Sequence, residues 1–342
     1  MSEEDFKKYK IKPQIDDVFM TRIGSIGVCT VVERSEPLAY YVSLALLRPD
    51  TQKASSKFLK YVIESLQGRK ELRKRTLVNA VPIKINKDDI GKITIPVPPL
   101  PVQNEIVRIL DNFTELTAEL TAELTARKKQ YEYYRNRLLT FKNSTPRIRL
   151  GDICTVITKG TTPKNYHSSG IAFIKTEAFD GSRIDLGKLS YVNEETHFGF
   201  LKRSILQADD ILITIAGATI GKCALVPKNI LPANTNQALA IIRLAEGNSK
   251  KYVLYLLQSN HMKEYMQSNI KGSAQPNLNL KQLNDFIIPL PSIEEQQRIV
   301  AILDRFDTLC NDISSGLPAE IAARTKQYEY YRDKLLTFPE RA

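Results

Sequence analysis

Histidine and cysteine are scarce in this chain of 342 residues. Three histidines (His167, His197, His261) and four cysteines (Cys29, Cys154, Cys223, Cys310) are widely separated. No Cys-x-x-Cys pair occurs, which argues against a structural zinc site and against a disulfide framework. The cysteine usage reads as a reduced, cytoplasmic protein. Long apolar runs are missing as well. The longest, Ile211 to Val226, holds two glycines and Lys222, so it reads as no membrane span. The opening MSEEDFKKYKIK is too charged for a signal peptide.

Catalytic signatures are equally absent. There is no Gly-x-Gly-x-x-Gly, no His-Glu-x-x-His, and no Asn-Pro-Pro-aromatic string of the kind that grips a flipped base. GATIGKC (Gly217 to Cys223) is only a faint echo of a phosphate loop. It has three residues between its glycines instead of four, and Cys223 stands where Ser or Thr would hold magnesium. Its counterpart, GSIGVC, has Val28 in place of the lysine, so a tight turn between strands is the better reading. Nothing predicts a catalytic residue or a metal ligand in this chain.

What the chain has is positive charge and repetition. The formal net charge is +11 and the pI about 9.3, which suits a polyanionic partner. KKQYEYYRNRLLTF (Lys128 to Phe141) returns as TKQYEYYRDKLLTF (Thr325 to Phe338), and IPVPPLPVQNEIVRILDNF from Ile95 returns as IPLPSIEEQQRIVAILDRF from Ile288. Weaker matches lie upstream: MTRIGSIGVC with ITIAGATIGKC, and KFLKYVIES with KYVLYLLQS. Each copy reads as a β-rich region, a helix, a Pro-rich strand and a long helix. The second copy carries about 60 residues before its glycine turn and the first only about 20, so the first copy is expected to be incomplete at its start.

After Pro101 no Gly or Pro occurs until beyond Phe141. Leu110, Phe113, Leu116, Leu120, Leu124, Tyr131 and Tyr134 recur at helical spacing. About 39 residues at 1.5 Å each predict a rod of roughly 58 Å. The second copy repeats the stripe with Leu303, Phe306, Tyr328 and Tyr331, interrupted at SSGLP, where Gly316 and Pro318 predict a break. Two such helices can bury their stripes on each other as a coiled coil. LTAELTAELTA (Leu116 to Ala126) is a tandem four-residue unit that adds about 6 Å of helix per copy.

Polar, basic segments remain. One stretch, Thr158 to Arg183, holds Lys159, Thr161, Thr162, Lys164, Asn165, Tyr166, Lys175 and Arg183. Lys222, then Asn234, Asn236 and Gln237, then Lys271, Ser273, Gln275 and Asn277 follow. Lys and Arg can read guanine edges, Asn and Gln adenine, and phosphates take the remaining positive charge. For each segment alone a solvated loop is the blander reading. GRKELRKR (Gly68 to Arg75) is basic too, and reads first as a solvated helix face.

The paired VQNEIVRILDNF and EEQQRIVAILDRF segments, the duplicated KQYEYYR ends, the TAEL array, the GDI…KG-T-P opening at Gly151 to Pro163 and the ATIGK turn together resemble the specificity subunits of type I restriction-modification systems. The resemblance covers nearly the whole chain. It implies an α+β fold with a pseudo-twofold internal repeat. Two mixed α/β target-recognition domains, the first incomplete, would be joined by two long antiparallel helices forming a coiled coil. The corresponding division is 1–100, a helix over 101–146, 147–291, and a helix over 292–342. The resemblance also implies a non-catalytic subunit that reads a split site in double-stranded DNA. Methyltransferase and motor-nuclease subunits would dock on the helical stripes and carry S-adenosylmethionine, ATP and Mg. A second specificity polypeptide is a conceivable supplier of the missing portion. Three other classes stay open on the sequence: a helical scaffold without DNA reading, an inactive remnant or recombination cassette, and a self-contained methyltransferase, for which the cofactor motif is lacking.

Overall fold

The computed structural model describes residue 6 and residues 11–35, 37–269 and 277–338. The helices are α1 (Ser56–Glu64), α2 (Leu66–Arg75), α3 (Lys87–Ile90), α4 (Leu100–Leu138), α5 (Glu194–Phe198), α6 (Lys250–Leu257), α7 (Asn260–Asn269), α8 (Leu280–Asp285), α9 (Ile293–Asn311) and α10 (Leu317–Leu335). The chain divides into two compact units: Met1–Glu123 with Pro318–Ala342, and Leu124–Leu317. The division therefore passes through α4, one uninterrupted helix, rather than at its start. The break expected at SSGLP separates α9 from α10. A Cβ on Gly316 would fall 2.4 Å from the Thr308 carbonyl oxygen, so the turn requires glycine.

In the first unit, β1 (Val18–Thr21) lies between β2 (Cys29–Val31) and β3 (Leu44–Leu47), all antiparallel. Val18 and Met20 point to a core that also takes Ala45, Ile63, Leu72, Ile85 and Ile90. Alternation puts Phe19 on the other face, where Tyr40 covers it at a 5.2 Å centroid distance. Gly24 and Gly27 adopt positive φ, 78° and 90°, and turn β1 into β2. GSIGVC is thus a strand-to-strand turn, as expected. Ser55 caps α1 by accepting from the Phe58 amide, and Ser65 ends α1 and caps α2 by accepting from Gly68. On α2 both Lys74 and Arg75 pair with Glu71, consistent with a solvated helix face.

The second unit contains more. β4 (Arg147–Arg149) leads through a single 3-10 turn, Leu150–Ile153, into β5 (Cys154–Lys159). There follow β6 (Ile171–Ile174), β7 (Phe179–Asp180), β8 (Arg183–Ile184), β9 (Ser190–Val192), β10 (Ile211–Thr214), β11 (Cys223–Leu225), β12 (Ala233–Thr235), β13 (Leu239–Leu244) and β14 (Ile287–Pro289). One antiparallel sheet has the order β11-β10-β13-β5, and a second has the order β12-β6-β9 with β12 and β6 parallel. β14 pairs with β4, and β7 with β8. Every residue of β10 is buried. Ile211 and Ile213 enter a core shared with the helices, while Leu212 enters one shared with β6 and β12. A strand covered on both faces reads as an unbroken apolar run, as ILIT does here.

The two units are built on the same internal contacts. Tyr61 donates to Asp111 at 2.6 Å and Tyr255 to Asp304 at 2.6 Å. Lys57 and Lys251 bind those same two carboxylates. Gln103 accepts from the Ser55 amide and donates to the Pro98 carbonyl; Gln296 does the same with Ser249 and Pro291. Arg48 clasps the buried Asp17, and Arg243 the buried Asp210, each through two nitrogens at 2.7 Å. The Arg48 guanidinium holds the Asp17 carboxyl below its ordinary value.

Within each unit a segment of α4 runs antiparallel to a helix of the other repeat. In the first unit Phe113 stacks on Tyr331, while Leu110 shares a buried cluster with Leu336. In the second, Tyr131 and Tyr134 stack on Phe306, and Cys310 feels the charge of Lys128. The helices do not pair with each other alone. Leu110 and Ile106 also pack on Phe58 and Val62, and Leu303 belongs to the core with Val253 and Leu257. Of the expected seam residues, Leu110, Tyr131 and Leu303 are buried, Leu116, Leu120, Leu124 and Tyr328 are half-buried, and Tyr331 is exposed on its outer side. Burying a leucine such as Leu110 contributes about 1.5–3 kcal/mol.

Candidate nucleic-acid interface

The polar residues singled out in the second unit come from four separate stretches of chain, and the strand register decides which of them meet. β10 ends at Thr214 opposite Leu239, where β13 begins, and Ala240 faces Lys159, where β5 ends. Gly160 then donates to the Leu239 carbonyl and Thr161 to that of Thr235. A Cβ on Gly160 would lie 2.2 Å from the Asn236 carbonyl oxygen, so only glycine lets the two chains close here. β12 and β6 run parallel and end together at Thr235 and Ile174. That register sets Asn236 and Lys175 side by side. Ala216 bridges to Asn277, and Ile215 donates to Ala238. Lys159, Thr161, Lys175, Asn236, Gln237 and Asn277 thus share one rim, at one end of both sheets.

On this rim Lys175 sits 4.7 Å above the Tyr166 ring, which in turn meets Phe173 edge-on at 5.4 Å. Phe173 is fully buried, so it fixes the ring that the cation rests on. Lys175 also pairs with Glu177 at 3.2 Å. The Glu177 carboxyl lies below its ordinary value, first through a bond to its own backbone and then through Lys175. Lys159, Thr162, Lys164, Asn165, Tyr166, Gln237 and Asn277 are exposed, while Thr161 and Asn236 are half-buried. Asn236 uses its side-chain oxygen to accept from Ala238, which shapes the turn. Lys222 lies beyond Gly221 (φ 86°) in the β10–β11 turn, on the wall of a cavity of about 330 Å³ shared with Tyr131 and Arg135. Only three residues separate Gly217 from Gly221, and the segment joins two antiparallel strands, as a turn does.

Two expected contact residues are otherwise engaged. Asn234 is fully buried: its oxygen takes the His197 Nδ1 hydrogen at 2.5 Å, and its amide donates to the Leu201 carbonyl and to Ser204 Oγ. A side chain with its groups so paired cannot reach a base edge, and Asn234 is a core residue that ties α5 to β12. Arg183 turns toward the end of α9, where it meets Asp312 at 3.4 Å. The Asp312 carboxyl is held far below its ordinary value by bonds from Ser314 and then by Arg183. Lys271, Ser273 and Gln275 lie outside the described residues. Phe198 and Phe200 stand exposed beside α5, and sequence reasoning passed them by, because single aromatics in a loop carry no periodic signal.

The described residues include no cluster of His, Cys, Asp or Glu arranged to hold a metal, and no described helix is long and apolar enough to cross a membrane. Burial pushes the thiols of Cys29, Cys154 and Cys223 up to about 12. Nucleophilic chemistry needs the thiolate, so these three are inert near neutrality.

The model of the type I restriction modification DNA specificity domain matches residues 2–127 and again residues 146–323, so the domain occurs twice. The chain belongs to that family. It is 40% identical over 261 residues to the EcoR124I/EcoR124II specificity subunit of Escherichia coli, a match covering 73% of this chain and 64% of the length of that relative. A putative type I restriction enzyme specificity subunit of Haemophilus influenzae is 35% identical over 313 residues, covering 81% of this chain and 75% of the relative. Among solved structures, the S subunit of a type I system from M. genitalium aligns with a TM-score of 0.56 at 16% identity, over 97% of this chain and 85% of that one. That likeness is one of fold. The two matched stretches fall one in each half of the internal repeat.

Proposed function

We propose that this chain supplies DNA sequence specificity to a type I restriction-modification complex and carries out no chemistry itself. The observation that carries the reading is the rim at one end of the second unit's sheets. It gathers Lys159, Thr161, Tyr166, Lys175, Asn236, Gln237 and Asn277 from four stretches of chain onto one exposed edge. Lysines there neutralise phosphates, while Gln237, Asn277 and the amide of Asn236 suit base edges in the major groove. Tyr166 offers a flat apolar face. The net charge of +11 supports the same partner.

In this proposal the reacting groups belong to other subunits. Methyltransferase subunits dock on the helical regions and bring S-adenosylmethionine; motor-nuclease subunits bring ATP and Mg. The complex works on double-stranded DNA in the cytoplasm. The second unit reads one half-site. The first unit, whose described residues hold one three-stranded sheet and no counterpart of the β12-β6-β9 sheet, reads weakly by itself.

Long-read methylome sequencing of cells expressing this chain with its partner subunits tests the reading. The expected result is adenine methylation within a defined motif. Methylation that is absent with the chain present and active partners supplied, or that carries no motif, overturns it. A salt-titrated binding assay adds a second readout: a reader binds its own site well above random duplex.

A further inference from the structure

We infer that the cavity walled by Tyr131, Arg135 and Lys222 in the second unit is a binding site for a phosphate group. All of its described lining residues lie within Leu124–Leu317. α4 contributes Tyr131 and Arg135, the β10–β11 turn Lys222, and α7 Lys263, around a space of about 330 Å³. Lys222 is exposed and has no ion-pair partner among the described residues. Arg135 has Glu132 beside it, but at 3.7 Å that contact is too long for a hydrogen bond. Glu132 is shared with Lys263 at 3.4 Å. The Arg135 side chain is only 12% exposed, and neither its Nε nor the Tyr131 Oη has a hydrogen-bond partner. A guanidinium so far withdrawn from water without a close anion is costly. Asp307 on α9 does not supply one: it accepts from two other cavity residues, Ser182 at 3.4 Å and Asn311 at 2.9 Å.

The first unit shows the same constellation neutralised from within. Tyr328 and Arg332 are the repeat counterparts of Tyr131 and Arg135. Arg332 binds Asp333 through Nε at 3.0 Å and through a second nitrogen at 3.3 Å. Burial acts first on the Tyr328 phenol, and then the charges of Arg332 and Glu64, so this acid too stands close by. The second unit replaces both acids with neutral amides: Asn136 stands for Asp333 and Gln258 for Glu64. Asn136 still accepts from the Asn260 amide as Asp333 does from that of Leu66. The exchange therefore keeps that backbone bond and removes the charge. In the same place Lys222 replaces Val28. Two acids are lost and one cation is gained around the repeated Tyr–Arg pair.

A ligand supplies the missing countercharge. Arginine and lysine are the usual donors to phosphate. A phosphate ester carries about −1.5 to −2 charges at neutral pH, which matches Arg135 and Lys222 together. Donors from α4, the turn and α7 come from separate elements, as the oxygens of a tetrahedral anion require. Two sources share this chemistry, a free phosphate or its monoester and a strand of DNA. The inference rests on the difference between the two halves of the repeat and not on DNA reading, so it is tested first with no DNA present.

The probe is inorganic phosphate, titrated by calorimetry into the full chain at about 0.15 M chloride. The expected result is saturable one-to-one binding with slowed hydrogen exchange over Gly221–Cys223. Gln258→Glu and Lys222→Val each install the residue that the first unit carries at that position. Each should weaken binding at least about tenfold with the melting temperature close to the parent. Lys228→Ala, which removes a positive charge outside the cavity, should leave binding unchanged. If Gln258→Glu misfolds, the exposed Lys222→Val still decides, and the exchange experiment needs no variant. An unphosphorylated duplex is then added to the phosphate-bound chain: displacement assigns the site to a DNA strand, and retention to a free phosphate or ester. No saturation by about 10 mM phosphate, binding indifferent to Gln258→Glu and Lys222→Val, or an equal loss in Lys228→Ala overturns the inference.

Discussion

Phe113 stacks on Tyr331 with ring centroids 5.6 Å apart and planes 19° from parallel. Its repeat counterpart, Phe306, meets Tyr134 at 5.5 Å and 22°. The same aromatic pair is therefore made twice, each time between a helix of one repeat and a helix of the other. A stacked pair contributes about 0.5–1.5 kcal/mol beyond the area it buries. The double-mutant cycle of Phe113→Leu and Tyr331→Leu, read by urea denaturation, should return a coupling of that size. A coupling near zero would mean that the rings are merely adjacent.

Tyr61 and Tyr255 each give a hydroxyl hydrogen to an aspartate on the neighbouring long helix, Asp111 and Asp304. Burial, and next the aspartate beside it, raises each phenol well above its usual value, so both stay protonated donors across the physiological range. Hydrogen bonds to charged groups contribute about 1.5–3 kcal/mol. Tyr61→Phe and Tyr255→Phe should each destabilise by that order. The two pairs share no partner, so the double variant should lose the sum within about 0.5 kcal/mol. Denaturation followed by circular dichroism measures all three.

Legibility of the fold from sequence follows the range of the signal. The repeat and the long helices were plain, because Leu110, Phe113 and Tyr131 recur at helical spacing over many turns and one periodicity covers them. The break at Gly316 was plain from two residues. The rim was readable only as composition. That Lys175 lies next to Asn236 depends on β6 and β12 running parallel, a pairing of strands about sixty residues apart that no local pattern announces. Asn234 shows the converse. It sits in a polar string, NTNQ, that reads as exposed, yet β12 is buried along its whole length and Asn234 packs onto His197. Its two neighbours at Asn236 and Gln237, past the end of the strand, stay outside.

That difference gives paired expectations for two substitutions. Asn234→Ala leaves the buried His197 Nδ1 without its partner, and an unsatisfied buried group costs about 1–3 kcal/mol. It should lower the unfolding midpoint of the second unit. Lys175→Ala removes one cation–π contact and one ion pair of a half-buried side chain and should cost the fold no more than about 1 kcal/mol. It should instead weaken DNA binding and reduce the salt slope of log K by about one. Denaturation and a salt-titrated binding assay, applied to both variants, separate a core asparagine from a contact lysine.

Cys29 and Cys223 are buried at matching positions beside the glycine turns, and burial pushes both thiols up to about 12. Cys154 is also raised to about 12 by burial, and its Sγ donates to the Leu150 carbonyl at 3.0 Å. A raised thiol value keeps the thiolate fraction negligible until the pH approaches that value. At pH 8 the native chain should therefore resist iodoacetamide at these three positions over hours, and react rapidly in denaturant, where thiols return to about 8.5. Mass spectrometry of the alkylated peptides reports each cysteine separately. Early labelling of Cys154 alone would mark local opening of the 3-10 turn that covers it.

The TAEL array lies inside α4, the helix whose residues 100–123 belong to the first unit and 124–138 to the second. Leu116, Leu120 and Leu124 are half-buried, while Ala118, Glu119, Ala122 and Glu123 are exposed. Deleting Thr121–Leu124 removes four residues, hence about 6 Å of rise and a rotation of about 40° beyond a full turn. The leucine stripe closes up with its spacing intact, so the helix survives the deletion. On the proposed function the spacing between half-sites should then shorten by one to two base pairs, at about 3.4 Å each, while the bases read remain the same. The measurement is a methylome of cells carrying the shortened chain, its partner subunits and whatever completes the first unit. A motif with the original spacer would separate helix length from target geometry. A motif with altered bases would mean that α4 contributes to reading itself.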